Sequence, residues 1–165
     1  MTDLDDIDLR LLDLLQDNAG LSNQDLAAAA AVSPATALRR VRRLTEAGIV
    51  ERRIALLSTE KLGAGLQALV EVQLDRQGAE HLDAFEVLAV ADSAVQQCWR
   101  VSPGPDFVLV LWVADMAAYN AAVQRLFTQH ANVRNVKTFF ALKRAKFAPR
   151  IDVRALKPPS GSPGP

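Results

Sequence analysis

The chain has 165 residues, half of them hydrophobic, so it can form one domain or two small ones with a substantial core. Its formal net charge of zero excludes a general polyanion binder, and its single cysteine, Cys98, excludes an intramolecular disulfide framework. The acidic start MTDLDDIDLR is unlike a signal peptide, and no apolar run is long enough to span a bilayer. We therefore expect a soluble protein of the reducing cytoplasm without a membrane partner.

Two short helices joined by a tight turn are predicted in residues 22–47. Ser22 can cap the first helix and Ser33 the second, Pro34 suits the first helical position, and Gly48 suits the end. A short helix, a turn and a second helix form the helix-turn-helix device of DNA-binding proteins. The predicted elements of this half are helices over 4–15, 22–30 and 34–47, a turn at 31–32 and a two-stranded basic wing over 49–57.

Charge is distributed unevenly along this half. Residues 1–32 contain seven aspartates and one basic residue, whereas residues 33–53 contain six arginines and two glutamates. Such segregation suits a module that turns one face towards phosphate, with steeply salt-dependent affinity. On a helical wheel, Leu38, Val41 and Leu44 face inwards. The opposite, wetter face contains Ala35, Thr36, Arg39, Arg42 and Arg43, with Arg40 at its edge. A solvated basic face on an ordinary amphipathic helix is the alternative, but the capped turn and the upstream helix favour DNA.

The second half alternates strands and helices in the order β-α-β-β-α-β, which is the ferredoxin-like pattern. The third strand, FVLVLWV, is apolar at every position, as in strands buried on both faces. Because helices cover only one face of such a sheet, we expect a second subunit on the other face, with a monomer as the alternative. The predicted elements are strands over 66–74, 95–101, 106–113 and 133–142 and helices over 79–90 and 116–130.

The predicted fold class is therefore α+β with two domains. We expect a winged helix-turn-helix DNA-binding domain in 1–57, a linker in 58–65 and a ferredoxin-like effector-binding and oligomerisation domain in 66–148. The remaining residues, 149–165, are predicted to be a disordered tail because KPPSGSPGP can form no regular element.

In these residues the chain resembles the Lrp/AsnC (leucine-responsive/asparagine-responsive) family of transcription regulators. The similarity covers roughly residues 4–148 and rests on three stretches in the right order: LDDIDLRLLDLLQDNAGLSNQDLA, SPATALRRVRRLTEAGIVERRIALLS, and the run from Cys98 to Tyr119. It implies a regulator of double-stranded DNA that forms dimers through its sheets and often tetramers or octamers. It also implies an amino-acid effector bound between dimers.

The resemblance further implies site residues. Asn23 and Gln24 would approach the phosphates, and the DNA-reading surface would contain Ser33, Pro34, Ala35, Thr36, Arg39, Arg40 and Arg43. The effector candidates are Gly104, Asp106 and Thr138. The effector loop here reads PGPDF, with prolines at 103 and 105 where the family has glycine and an aromatic residue. Proline fixes φ and removes a donor, so the loop should be stiff, and a turn-capping role for Asp106 is an equal alternative.

Two other function classes remain as alternatives. Sirohaem decarboxylases resemble these regulators and use histidine and arginine, but His81 and His130 lie in predicted amphipathic helices and the hairpin offers only Arg100. An effector-binding assembly module without specific DNA binding is the other. No motif for metal or nucleotide catalysis is present, so we predict no enzyme activity, no catalytic or metal-binding residues and no cofactor.

Overall fold

The computed structural model describes residues 3–63 and 65–155, which separate into two compact units. The helical unit comprises the chain up to Leu56 together with the segment from Phe147, and the sheet unit comprises Leu57–Lys146. Three helices in the first and a four-stranded antiparallel sheet with helices in the second confirm the α+β class. In the described part of the chain, no helix is both long and apolar enough to span a membrane.

Capped helices make up most of the helical unit: α1 is Asp6–Asp17, α2 is Asn23–Ala30 and α3 is Pro34–Glu46. The predicted caps are confirmed, since the hydroxyl oxygens of Ser22 and Ser33 accept hydrogen bonds from amides in the first turns of α2 and α3. Helix α1 begins later than predicted because Asp5 caps it, accepting hydrogen bonds from the amides of Ile7 and Asp8.

The turn between α2 and α3 depends on one residue in the left-handed region, Ala31, with φ of 56°. This conformation costs alanine about 1 kcal/mol relative to glycine. Hydrogen bonds hold it there: the amide of Ala31 donates to Ala28 and that of Val32 to Ala27, while Arg10 Nη1 on α1 donates to the carbonyl oxygen of Ala30 over 2.9 Å. The alanine is therefore tolerated where the turn favours glycine.

The core of the helical unit surrounds α1. One cluster packs Leu11 and Leu15 against α2 and α3, and a second contains Leu9, Leu12, Leu44 and Val153. The inward face predicted for α3 is wrong at one position. Leu38 is 60% exposed, whereas Ala37 is fully buried in the same row as Val41 and Leu44. The small side chain of Ala37 lets α3 pack closely on its neighbours.

The two wing strands predicted over residues 49–57 are wrong. Ile49 and Val50 belong to the turn that follows α3, since both amides donate to the carbonyl oxygen of Leu44, and residues 51–57 form no strand. Ile54 and Leu56 are exposed. A two-stranded ribbon is marginal unless one of its faces packs on something, and nothing in the described helical unit covers these side chains.

The prediction of a disordered tail over 149–165 is also wrong for the residues of that tail that the structure describes, 149–155. Residues 147–155, here called the C-terminal strap, return to the helical unit. Val153 is buried, Gln16 exchanges two hydrogen bonds with the backbone of Ile151, and Arg150 pairs with Asp13 and Asp17. Ile151 and Val153 are apolar and precede the Pro/Gly/Ser-rich end. The prediction extended the disorder expected of that end too far towards the N-terminus. The end itself, 157–165, lies outside the described residues.

The sheet unit confirms the β-α-β-β-α-β order, with strands arranged β2-β3-β1-β4 and antiparallel throughout. A four-residue helix occupies part of the predicted linker, and the second long helix ends in a π-helical turn over Gln124–Thr128. The elements are α4 Thr59–Leu62, β1 Leu66–Leu74, α5 Ala79–Ala91, β2 Val95–Arg100, β3 Phe107–Val113, α6 Met116–Val123 and β4 Val133–Phe140.

The helices pack on one face of the sheet. Along β3, Phe107, Leu109, Leu111 and Val113 are buried in a core with side chains of α5 and α6, while the alternate residues are only half-buried. The second face of this apolar strand is therefore incompletely covered within one chain. On this second face the backbone of Gly65 packs closely against the indole of Trp112, where a Cβ would lie 2.5 Å from Cζ2.

Candidate DNA interface and effector loop

The N-termini of α2 and α3 lie side by side. Asn23 begins α2, and its Nδ2 donates to the carbonyl oxygen of Pro34, the first residue of α3, over 2.9 Å. Asn23 thus fixes one helix start against the other, while Gln24 is exposed beside it. Two adjacent helix N-termini bring their positive dipole ends together, an arrangement that favours anionic phosphate oxygens.

The first turn of α3 presents a small surface. Ser33, Pro34 and Ala35 are exposed, and Thr36 is half-buried with its Oγ1 2.9 Å from the hydroxyl oxygen of Ser33. Side chains of this size allow a helix to approach base edges closely. The structure thus brings these four predicted residues together at one end of α3, next to Asn23.

The four arginines of α3 differ in their surroundings. Arg39 is exposed and pairs with no carboxylate in the described part of the chain. Arg42 pairs along the helix with Glu46 at 2.7 Å, and both side chains are exposed. Arg43 is half-exposed, and one of its terminal nitrogens donates to a carboxylate of α1. Arg40 is held at two carboxylates, and at 20% its side chain is less exposed than those of Arg42 and Arg43.

The carboxylates that hold Arg40 belong to the N-terminal end of α1 and form, with it, what we call the acidic clamp: Asp5, Asp8 and Arg40. Nη1 of Arg40 lies 2.8 and 2.7 Å from the two carboxylate oxygens of Asp5 and 3.0 Å from Oδ1 of Asp8. Asp8 is 1% exposed, and its Oδ2 accepts hydrogen bonds from Arg43 and from the amide of Asp5. A buried carboxylate requires such partners, and here they come from both helices.

The clamp shifts the pKa values of its members. The pKa of Asp5 falls from 3.8 to about 2, first because of its hydrogen bond with the amide of Asp8 and then because of the Arg40 guanidinium. The pKa of Arg40 rises because its hydrogen bonds to Asp5 and Asp8 stabilise the charged form. The clamp was not predicted from the sequence. The D-x-x-D spacing of Asp5 and Asp8, typical of a capping box, is a local signal for the contact between these two residues, but it does not indicate Arg40.

The effector candidates do not form one cluster in a single chain. Oδ2 of Asp106 accepts from the amide of Leu74 at 2.7 Å and lies 3.3 Å from Nε2 of Gln77, so this carboxylate already caps the end of β1. Gly104 is exposed, with φ of 126°. Thr138 lies on β4, opposite Val70 of β1. Val70 is four residues from Leu74, the residue that Asp106 caps, and four residues span about 13 Å in a strand.

Thr138 has a partner of its own. Its Oγ1 lies 2.7 Å from the hydroxyl oxygen of Tyr119 on α6, and the Tyr119 ring packs edge-on against Phe140 at 4.9 Å. Because Tyr119 is nearly buried, this hydrogen bond joins α6 to the outer strand of the sheet.

Arg100 and His130, the candidates for the enzyme alternative, both have structural contacts. Nη2 of Arg100 pairs with Asp83 at 2.6 Å and with Glu86 at 2.8 Å, and His130 packs edge-on against Phe85. Residues 3–63 and 65–155 contain no group of three His, Cys, Asp or Glu side chains that could hold a metal ion.

Comparisons with known proteins cover both halves of the chain. Residues 67–151 match the family model described as the Lrp/AsnC ligand binding domain, and residues 4–51 match that of the winged helix-turn-helix DNA-binding domain. The chain is 36% identical to the Bkd operon transcriptional regulator of Pseudomonas aeruginosa over 87% of its length and 94% of the relative's. It is 33% identical to the leucine-responsive regulatory protein of Rhizobium meliloti over 92% of its length and 97% of the relative's.

Solved structures give the same result. A transcriptional regulator of Neisseria meningitidis in complex with L-Met superposes with a TM-score of 0.84 at 31% identity, covering 94% of this chain and all of that one. An AsnC family regulator of Agrobacterium tumefaciens superposes with a TM-score of 0.84 at 27% identity, covering 93% of this chain and all of that one.

Proposed function

The chain belongs to the Lrp/AsnC family of transcriptional regulators, and we propose that it binds double-stranded DNA in the cytoplasm as a homo-oligomer whose occupancy responds to an amino acid or related small molecule. We assign DNA binding to residues 1–57, a domain that the C-terminal strap stabilises by packing on it. Effector binding and oligomerisation are assigned to residues 66–148.

One observation carries the DNA-binding proposal: the adjoining N-termini of α2 and α3, joined by the hydrogen bond from Asn23 to Pro34. Phosphate oxygens would bind at these helix starts, with Gln24 beside them. Ser33 to Thr36 would face the base edges, and Arg39 and Arg43 would reach phosphate or guanine farther along the groove.

The oligomer proposal rests on the sheet face opposite the helices. Leu69 in the centre and Trp99 and Phe139 on the outer strands are all at least 42% exposed. An apolar sheet face of this kind favours a second sheet packed against it. Dimers of this kind would present two recognition helices to successive major grooves, and dimers could assemble further into tetramers or octamers.

The effector proposal rests on the ligand-binding family match and on the bound L-Met of the Neisseria meningitidis regulator. In this chain we propose that Gly104 and the PGPDF loop of one copy, with Asp106 capping its strand, contribute to a site completed elsewhere in the oligomer, with Thr138 in the same domain. An effector would act through different affinities for two assembly states.

We propose that the chain acts without catalysing a reaction. The hairpin offers only Arg100 to a sirohaem-decarboxylase-like activity, and that arginine is paired with Asp83 and Glu86, while His130 packs against Phe85. No observation favours that second function over regulation.

The proposal is tested by a mobility-shift titration of the full-length protein on DNA from its own upstream region, with salt steps and a panel of amino acids. We expect specific, salt-sensitive complexes in several steps, and a shift in affinity with one amino acid. Arg39→Ala should weaken binding, whereas Arg134→Ala, which removes an exposed arginine of the sheet unit, should not. Absence of any specific complex at low salt would refute the proposed regulator.

A further inference from the structure

We propose that Arg40 is a positioning residue that locks α3 onto α1, and that Asp5 withholds it from DNA, so that the salt dependence of binding comes from Arg39 and Arg43. This inference rests on the proposed DNA-binding function and deepens it. Arg39, Arg40 and Arg43 look equivalent in the sequence, but in this proposal Arg39 and Arg43 contact DNA and Arg40 positions α3.

Arg40 is held by carboxylates on one side and closed off from solvent on another. Its Nη1 contacts both oxygens of Asp5 and one of Asp8, all within 3.0 Å. Its Nε is buried and donates to nothing in the described structure. A guanidinium with one nitrogen shared among three carboxylate oxygens and another closed off from solvent cannot present the two-pronged edge that reads guanine or grips phosphate.

Asp8, the second carboxylate that holds Arg40, is buried. This carboxylate is 1% exposed, so it needs a cationic partner whether or not DNA is bound. Arg40 and Arg43 both supply one, from positions three apart on α3. The pair fixes the rotation of α3 relative to the first turn of α1, which decides where the small residues at the start of α3 point.

The neighbouring arginines, Arg39 and Arg43, are more accessible than Arg40. Arg43 gives one terminal nitrogen to Asp8 and is 47% exposed, so it is oriented by the clamp and still accessible. Arg39 is exposed and has no carboxylate partner among the described residues. These two line the same open groove, of about 280 Å³, as Asp5 and Arg40. A phosphate in the groove can pair with Arg39 and Arg43, whereas Arg40 is already paired with Asp5.

Asp5 therefore acts as an internal competitor for phosphate. It is 55% exposed, lies at the surface of the groove and neutralises one of the arginines that would otherwise attract any DNA. Reducing non-specific attraction in this way raises the ratio of specific to non-specific binding, which determines occupancy in a genome.

The test is the slope of log K against log salt concentration for the full-length protein on random-sequence duplex DNA. The slope changes by about 0.9 for each phosphate that the protein ceases or begins to neutralise. We expect Arg39→Ala to make the slope shallower by about that amount. Arg40→Ala should leave the slope unchanged but weaken binding to the operator, because α3 is no longer fixed. Arg40→Lys, which restores a cation for Asp5 and Asp8, should recover operator affinity in part.

Asp5→Asn is the decisive variant. Asparagine is as good an N-cap as aspartate, so α1 stays capped. The variant removes the charge of the exposed carboxylate that holds Arg40, while the buried Asp8 still has Arg43 as a partner, so Arg40 can turn to a phosphate. We expect tighter non-specific binding and a slope steeper by about 0.9, and the double variant Asp5→Asn/Arg40→Ala should return to the unmodified slope. Asp3→Asn is the matched control: it removes the same charge from an exposed residue that pairs with no arginine among the described residues.

Two results would overturn the inference alone. One is a slope for Arg40→Ala as shallow as that of Arg39→Ala, which would make Arg40 a phosphate contact. The other is an Asp5→Asn slope equal to that of Asp3→Asn, or a steeper slope that survives in the double variant. Failure of the unmodified protein to bind DNA would instead refute the proposed function.

Discussion

Replacing Val153 with alanine should destabilise the helical unit although the residue lies near the C-terminal end of the chain. Val153 is 6% exposed and packs with Leu9, Leu12 and Leu44. The substitution removes two methyl groups at about 0.8 kcal/mol each, and the cavity left behind brings the loss to about 2 kcal/mol. That loss corresponds to an approximately 30-fold rise in the opening equilibrium of the affected helix.

Hydrogen exchange on the full-length protein measures this effect element by element. Amides of α1 should exchange up to about 30-fold faster in Val153→Ala. The sheet unit contains both tryptophans, Trp99 and Trp112, so unfolding followed by tryptophan fluorescence reports on that unit and should be unchanged. Ile151→Ala is the matched control, because that side chain is 58% exposed while its backbone still bonds to Gln16.

Equally fast exchange of α1 in Val153→Ala and in the unmodified protein would refute this prediction, because the strap would then contribute no packing energy. A larger effect of Ile151→Ala would refute it as well. In that case the strap would be held through exposed contacts rather than through the buried valine.

Three further predictions concern single contacts. Gly65→Ala should displace the indole of Trp112, because the new Cβ would lie 2.5 Å from Cζ2, and the change should appear as altered tryptophan fluorescence; an unaltered spectrum would show that the linker backbone moves instead. Tyr119→Phe should cost about 1 kcal/mol in urea denaturation by removing the half-buried hydrogen bond to Thr138, and the cost should largely vanish in a Thr138→Val background. Finally, Asp5, whose pKa is lowered to about 2, stabilises the fold fully above its ordinary pKa of 3.8 and loses that contribution as pH falls towards 2. Because Asp5 is more than half exposed, we expect no more than about 1 kcal/mol, measured as a difference between unmodified protein and Asp5→Asn that shrinks over this pH range.

The elements that sequence analysis predicted well are those whose signals are local. The hydroxyl of Ser33 and the ring of Pro34 define the start of α3 within one turn, and the structure begins the helix there. Alternation and β-branched residues define β1 so fully that its predicted and observed bounds are the same, 66–74. In each case the residues that determine the element lie inside it or next to it.

The errors arise where a distant partner decides the outcome. Ile151 bonds with a residue 135 positions away, so nothing near it in the sequence distinguishes a docked strap from a free tail. Residues 49–57 have β-forming side chains, yet a strand also requires a partner, and the described helical unit offers none. Alternation alone therefore indicates what a segment could form, and not whether a neighbour is present.

The same limit applies to the candidate site. A helical wheel places Arg39, Arg40 and Arg43 on or beside one basic face, but it contains no information about α1. The carboxylates that divide these arginines lie 32 to 35 positions earlier in the chain. The site residues themselves remain predictions, and their division into contacting and positioning residues required the packing of one helix on another.

Helix α1 therefore positions α3 through two separate contacts. At its first turn, Asp8 holds Arg40 and Arg43, and farther along, Leu12 packs with Leu44 of α3 and with Val153 of the strap. Only the second contact involves the strap, which starts seven residues after β4 ends. A displacement of the strap would loosen α3 at Leu44 and leave the arginines attached to Asp8. Such a change should weaken binding to a specific operator without altering the number of phosphates that the protein neutralises, because that number depends on the arginines and not on the valine.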